Sequence, residues 1–97
     1  MLVSLFLKFF GNTSQNRIVD FLLSNQDKDH SISEISRQSG VGYTTTKVIK
    51  KKLLRLGFIR QTRKIGRAKM YIVNKKSRAV KGIEHCYNSL NKLKKQK

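Results

Sequence analysis

The stretch YTTTKVIKKKLLRLGFIRQTRKIGRAKMYIV, residues 43–73, carries ten Lys or Arg residues and no Asp or Glu. Its first half reads as a helix. Ile49, Leu53 and Leu56 recur at helical spacing, with Thr46 one turn earlier on the same face, so a helix is expected from Tyr43 to about Leu56, ended by Gly57. Its second half changes period. FIRQTRK and AKMYIVN are short, rich in β-formers and joined through IGR around Gly66, which predicts a hairpin with a basic tip.

Upstream, SGVG (39–42) separates the long helix from a short one expected from Ile32 to about Gln38. Ser31 stands three residues before Glu34, the spacing of a reciprocal capping box, and Gly40 provides the stop. Before the NQDKDH break lies a helix capped by Asn12 or Thr13, with Ile18, Val19, Leu22 and Leu23 on one face. Gly11 sets this helix off from Leu2–Phe10, an apolar segment too short for a membrane span and without a cleavage pattern. It reads as a helix that packs on the domain or on a second subunit.

Downstream, Ser77 to about Leu93 reads as a helix. Ala79, Ile83, Cys86, Leu90 and Leu93 fall at alternating steps of four and three, heptad spacing widened by Val80 and Tyr87. That seam is longer than so small a core needs, so these seven residues are expected to form a dimer interface.

A chain of 97 residues suffices for one small domain. The charge of +17, from 22 basic and 5 acidic residues, points to polyanionic partners, and no acidic residue occurs between Ile35 and Ile83. One cysteine, Cys86, excludes an intramolecular disulfide and fits a reducing, cytoplasmic setting. His30 and His85 are isolated, so no metal site is expected, and His30 reads as a turn residue. Asp20, Asp27, Asp29, Glu34 and Glu84 are scattered, and no phosphate-binding glycine loop or nucleophile–base arrangement is present. Neither an enzyme nor a cofactor is implied.

Helix, short helix, glycine-containing turn, longer helix and basic hairpin occur in an order that resembles the winged helix-turn-helix family. The likeness is greatest to small archaeal, archaeal plasmid or virus regulators and to MarR-, PadR- and ArsR-like proteins. It covers Asn12 to Asn74 and is strongest in SISEISRQSGVGYTTTKVIKKKLLRLGFI. The resemblance implies an α+β fold, mainly helical with a small hairpin wing, in which Ile32, Ile35, Val41, Ile49 and Leu53 fix the angle between two helices. It also implies that the second of these enters the DNA major groove. Gly42 departs from the family pattern, where Ser or Thr usually caps that helix; glycine remains an acceptable cap.

If Thr46, Ile49, Leu53 and Leu56 face inward, Tyr43, Thr44, Lys47, Val48 and Lys51 face outward, the earlier ones at the helix end that reaches bases. Thr44, Thr45 and the free N–H groups of the first turn suit phosphate. Lys47 suits guanine, Val48 a thymine methyl, and Tyr43 a phosphate or base edge. Lys50, Lys51 and Lys52 spread around the helix as phosphate contacts or solvated charges. By the resemblance, Arg63, Lys64, Arg67 and Lys69 lie along a minor groove or its flanking phosphates, with Arg67 the leading wing residue.

The whole therefore reads as one domain, residues 1–97, with a core at 12–74 and a dimerisation helix at 77–93. Its expected function is that of a homodimeric regulator of transcription, nucleoid-associated in the cytoplasm and bound to double-stranded DNA. Two rivals remain: a plasmid partition or chromatin-like protein that spreads on DNA, and an adaptor whose winged helix binds a further protein partner.

Overall fold

Side-chain caps begin the helices at Ser14 and Ile32, and a positive-φ glycine ends the second of these. The computed structural model describes residues 5–95, with side chains described through Asn91. Helix α1 (Leu5–Phe10) precedes α2 (Ser14–Ser24), whose cap Thr13 accepts from the Asn16 N–H at 3.1 Å. Helix α3 (Ile32–Ser39) starts at Ser31, which accepts from the Glu34 N–H at 3.2 Å, and closes at Gly40 with φ 73°. Helix α4 (Tyr43–Arg55) follows, then strands β1 (Ile59–Ile65) and β2 (Ala68–Val73), and finally α5 (Arg78–Lys95).

The two strands form an antiparallel hairpin that pairs Ile59 with Val73, Arg60 with Ile72 and Gln61 with Tyr71, then shifts register before Lys64 pairs with Lys69. Three steps on β1 are thus matched by two on β2. One extra residue sits in β1, a bulge that bends and twists the hairpin above Gln61. On the far side of β2, His30 bridges to Tyr71 through two backbone hydrogen bonds of 2.7 and 2.8 Å.

The core forms where α2, α3 and α4 meet β2 and α5. Leu22, Ile18, Ile35 and Val80 are fully enclosed there, each adding roughly 1.5–3 kcal/mol relative to an exposed side chain. Phe6 and Leu7 of α1 join them, and the Phe6 ring meets Tyr87 of α5 edge-on at 5.5 Å between centroids. The α+β architecture expected from the sequence is present.

Four expectations need correction. Leu56, expected on the inner face of α4, lies beyond the helix end at Arg55 and is 64% exposed; Leu54 packs against the core instead. The capping box is one-sided, because the Glu34 carboxylate lies 3.2 Å from His30 Nδ1 rather than on Ser31. His30 is not a turn residue but forms a β-bridge to Tyr71, and it is 3% exposed, edge-on to Phe21, with Nε2 donating to the Asn25 carbonyl at 3.2 Å. In α5, Val80 and Tyr87 belong to the chain's own core, with Leu90 partly buried against it. Ala79 and Ile83 are exposed and Cys86 is half-buried. Leu2 and the side chain of Leu93 lie outside the described residues.

Candidate nucleic-acid interface

The turn between α3 and α4 is held by polar bonds that leave little freedom in the angle between them. Ser36 donates its hydroxyl to the Val41 carbonyl at 2.6 Å, and the Val41 N–H returns to the Ser36 carbonyl at 3.2 Å. Thr46, buried one turn into α4, donates to the Gly42 carbonyl at 2.9 Å. From α2, Arg17 reaches the Gly40 carbonyl at 2.9 Å. Side chains thus bond the Val41 and Gly40 carbonyls of the glycine-containing turn, and the Gly42 carbonyl takes the Thr46 hydroxyl besides the Thr46 N–H at 2.9 Å.

With Thr46, Ile49 and Leu53 buried, α4 turns Tyr43, Thr44, Thr45, Lys47, Val48 and Lys51 to solvent. Its N-cap, Gly42, supplies no side-chain hydrogen bond, so the first-turn N–H groups stand open at the positive end of the helix dipole. Lys47 Nζ lies 5.8 Å from the centre of the Tyr43 ring, the separation of a cation–π pair on the exposed face. Val48 is 64% exposed, an apolar side chain set among cations.

At the hairpin tip, Gly66 takes φ 61° and makes the tight turn, while Lys64, Ile65, Arg67 and Lys69 are all exposed. Among the described residues, no acidic side chain pairs with Lys47, Lys51, Lys64, Arg67 or Lys69. The acids pair elsewhere. Asp27 meets Lys75 at 2.8 Å, which holds its carboxyl below the usual range. Asp29 accepts from Arg63 Nε at 2.9 Å and from Thr62 Oγ1 at 2.6 Å; the Arg63 bond first and the Thr62 bond second bring its carboxyl down to about 2.

Comparison with solved structures decides the fold. The chain superposes on MepR, a transcription regulator of the Staphylococcus aureus multidrug efflux pump MepA, with a TM-score of 0.67 at 13% identity. The match covers 93% of this chain and 65% of MepR, so the chain spans just under two thirds of that protein. Reduced HlyU from Vibrio cholerae matches at 0.61 with 19% identity over 76% of this chain and 75% of that one. The transcriptional regulator PA3341 matches at 0.62 with 19% identity over 89% and 65%. No family model and no curated sequence matches the chain at a significant level. The fold is a winged helix-turn-helix.

In that frame α4 is the second helix of the helix-turn-helix and β1–β2 the wing. The structure places most of the expected interface residues in the open, with two exceptions. Lys50 is half-buried, its Nζ 5.5 Å from the centre of the Tyr71 ring. Arg63 is tied to Asp29 by two hydrogen bonds. Lys52, exposed further along α4, donates to Gln15 Oε1 of α2 at 2.8 Å. Asp29 carries no local signal of this role. It sits in a polar break with no periodicity, and only the hairpin's return along the chain brings Thr62 and Arg63 to it.

Proposed function

We propose that the chain is a sequence-specific double-stranded DNA-binding protein acting as a homodimeric regulator of transcription in the cytoplasm. On this reading α4 enters the major groove and the wing lies along the adjacent minor groove or its phosphates. The observation that carries it is the outer face of α4: an open helix start followed by Thr44, Lys47, Val48 and Lys51, all exposed and free of acidic neighbours. Such a face offers phosphate-binding N–H groups at its start and donors and an apolar contact for base edges beyond them. The net charge of +17 supplies long-range attraction to the polyanion.

Support for a dimer comes from α1 and α5, which pack on each other. Phe9 is 72% and Phe10 49% exposed at the end of α1, and Ile83 is 38% exposed on α5. Apolar side chains of that size left open on two helices that pack together suit a second copy, and two-fold symmetry would present two recognition helices to successive major grooves, ~34 Å apart.

Selection from a random duplex pool, followed by footprinting on the recovered site, tests the reading. One short protected palindrome supports regulation. A protected ladder that extends from the site would favour a partition or chromatin-like role, and no protection at physiological salt would favour a protein adaptor.

A further inference from the structure

The hairpin divides at its bulge. Below it, Ile59, Tyr71 and Val73 are buried and anchor the base of the wing in the core. Above it, every residue from Thr62 to Lys69 is exposed. A two-stranded ribbon without a packed face is flexible, and its tip inherits whatever angle the bulge adopts.

One side chain from outside the hairpin reaches that bulge. Asp29 stands next to His30, whose backbone is locked to Tyr71 of β2. From there its carboxylate crosses the line of β2 and accepts from both residues of the irregular segment of β1: Thr62 Oγ1 at 2.6 Å, Arg63 Nε at 2.9 Å and Arg63 Nη2 at 3.2 Å. Thr62 Oγ1 also lies 3.4 Å from the Met70 carbonyl, but its single proton goes to the nearer carboxylate, so the hold on the bulge is that of Asp29. The carboxylate is only 15% exposed although Arg63 is 63% exposed. A fork of two donors on one carboxylate fixes orientation as well as distance.

We propose that Asp29 is a positioning residue for DNA binding, clamping the bulge at Thr62 and Arg63 so that the wing tip presents Arg67 at a fixed angle. Arg63 then serves the clamp rather than the nucleic acid. This inference rests on the DNA-binding reading and makes a prediction of opposite sign to simple electrostatics. Removing a negative charge from a protein that binds a polyanion should strengthen binding; removing this one should weaken it on the specific site.

The test uses the full chain and its Asp29→Ala and Asp29→Asn variants, with far-UV circular dichroism and thermal melting to establish that each is folded. Binding is measured on the selected duplex and on a scrambled duplex. The expected result is a loss of about fivefold to tenfold on the selected site, with unchanged or slightly tighter binding to the scrambled one. In an Arg67→Ala background the Asp29 effect should largely disappear, because the two act through one element. Equal or tighter binding to both duplexes, or full additivity with Arg67→Ala, would overturn the proposal.

Amide hydrogen exchange without DNA separates the clamp from the reading beneath it. Exchange at Lys64 to Lys69 should quicken in Asp29→Ala while exchange at Ile72 and Val73 stays unchanged. If the wild-type chain binds no duplex, the DNA-binding reading fails and the consequence for DNA fails with it. Unchanged exchange at the tip would refute the clamp itself, whatever the DNA result.

Discussion

Lys50 Nζ lies 5.5 Å from the centre of the buried Tyr71 ring, so one of the three consecutive lysines of α4 faces the base of the wing instead of solvent. The run KKK therefore divides by direction. Lys51 is open, Lys52 is engaged with Gln15, and Lys50 helps hold α4 and the hairpin together.

That division predicts different losses for neighbouring substitutions. Lys50→Ala should lower stability by about 0.5–1 kcal/mol, the usual strength of an exposed or partly buried cation–π pair, with little change in the salt dependence of DNA binding. Lys51→Ala should leave stability unchanged and reduce the slope of log affinity against log salt by about one. Urea titration and binding at several salt concentrations check the pair; reversed effects would return Lys50 to the interface.

Lys47 differs from both because it sits one turn from the helix start, beside Tyr43. Lys47→Ala should relax discrimination at one base position by ~1–3 kcal/mol if the side chain bonds a base edge at two points. Competition between the selected site and its single-base variants reads this directly. Equal losses on selected and scrambled duplexes would reassign Lys47 to phosphate.

For the dimer, the exposed positions are the ones to change. Phe9→Glu with Ile83→Glu should yield a folded monomer in sedimentation at micromolar concentration, because both side chains are already in solvent in the single chain. Leu90→Glu would be a poor probe, since Leu90 packs against the core. A doubly substituted chain that still sediments as a dimer would place the interface elsewhere.

Tyr87 gives a pH prediction. Its hydroxyl is hydrogen-bonded to Ser24 Oγ, which also lies 2.9 Å from the Asp20 carbonyl. Burial first of all raises the Tyr87 phenol above its ordinary value of 10.0. The folded chain thus keeps a proton that the unfolded chain releases, and stability should fall as pH rises above about 10. Tyr87→Phe should cost ~1 kcal/mol near neutrality through the lost hydrogen bond and should make the alkaline loss shallower. Urea melts at about pH 8 and about pH 11 compare the two chains.

Much of this was legible because local signals and packing agreed. Thr46, Ile49 and Leu53 turn inward as their spacing requires, Thr13 and Ser31 cap their helices, and Gly66 turns the hairpin. In α5 the apolar pattern was ambiguous by one residue. Stripes through Ala79, Ile83 and Cys86 and through Val80 and Tyr87 lie about 100° apart on a helix, and only contact with Phe6 and Ser24 selects the second for the core. Leu56 misled because an apolar residue at the right period faces the core only while the helix continues. His30 and Asp29 depend on partners some thirty or forty residues away along the chain, on the hairpin, and no local pattern announces such a meeting.

Gly42 leaves the start of α4 without an internal acceptor, and this has a consequence for when that turn becomes fully ordered. A serine there would have to surrender its bond before an anion could take the same N–H groups; glycine has nothing to surrender. On the proposed reading a backbone phosphate of the operator completes the helix, so part of the recognition element's architecture is contributed by the molecule it recognises. Affinity and local folding of residues 43–45 then become one equilibrium.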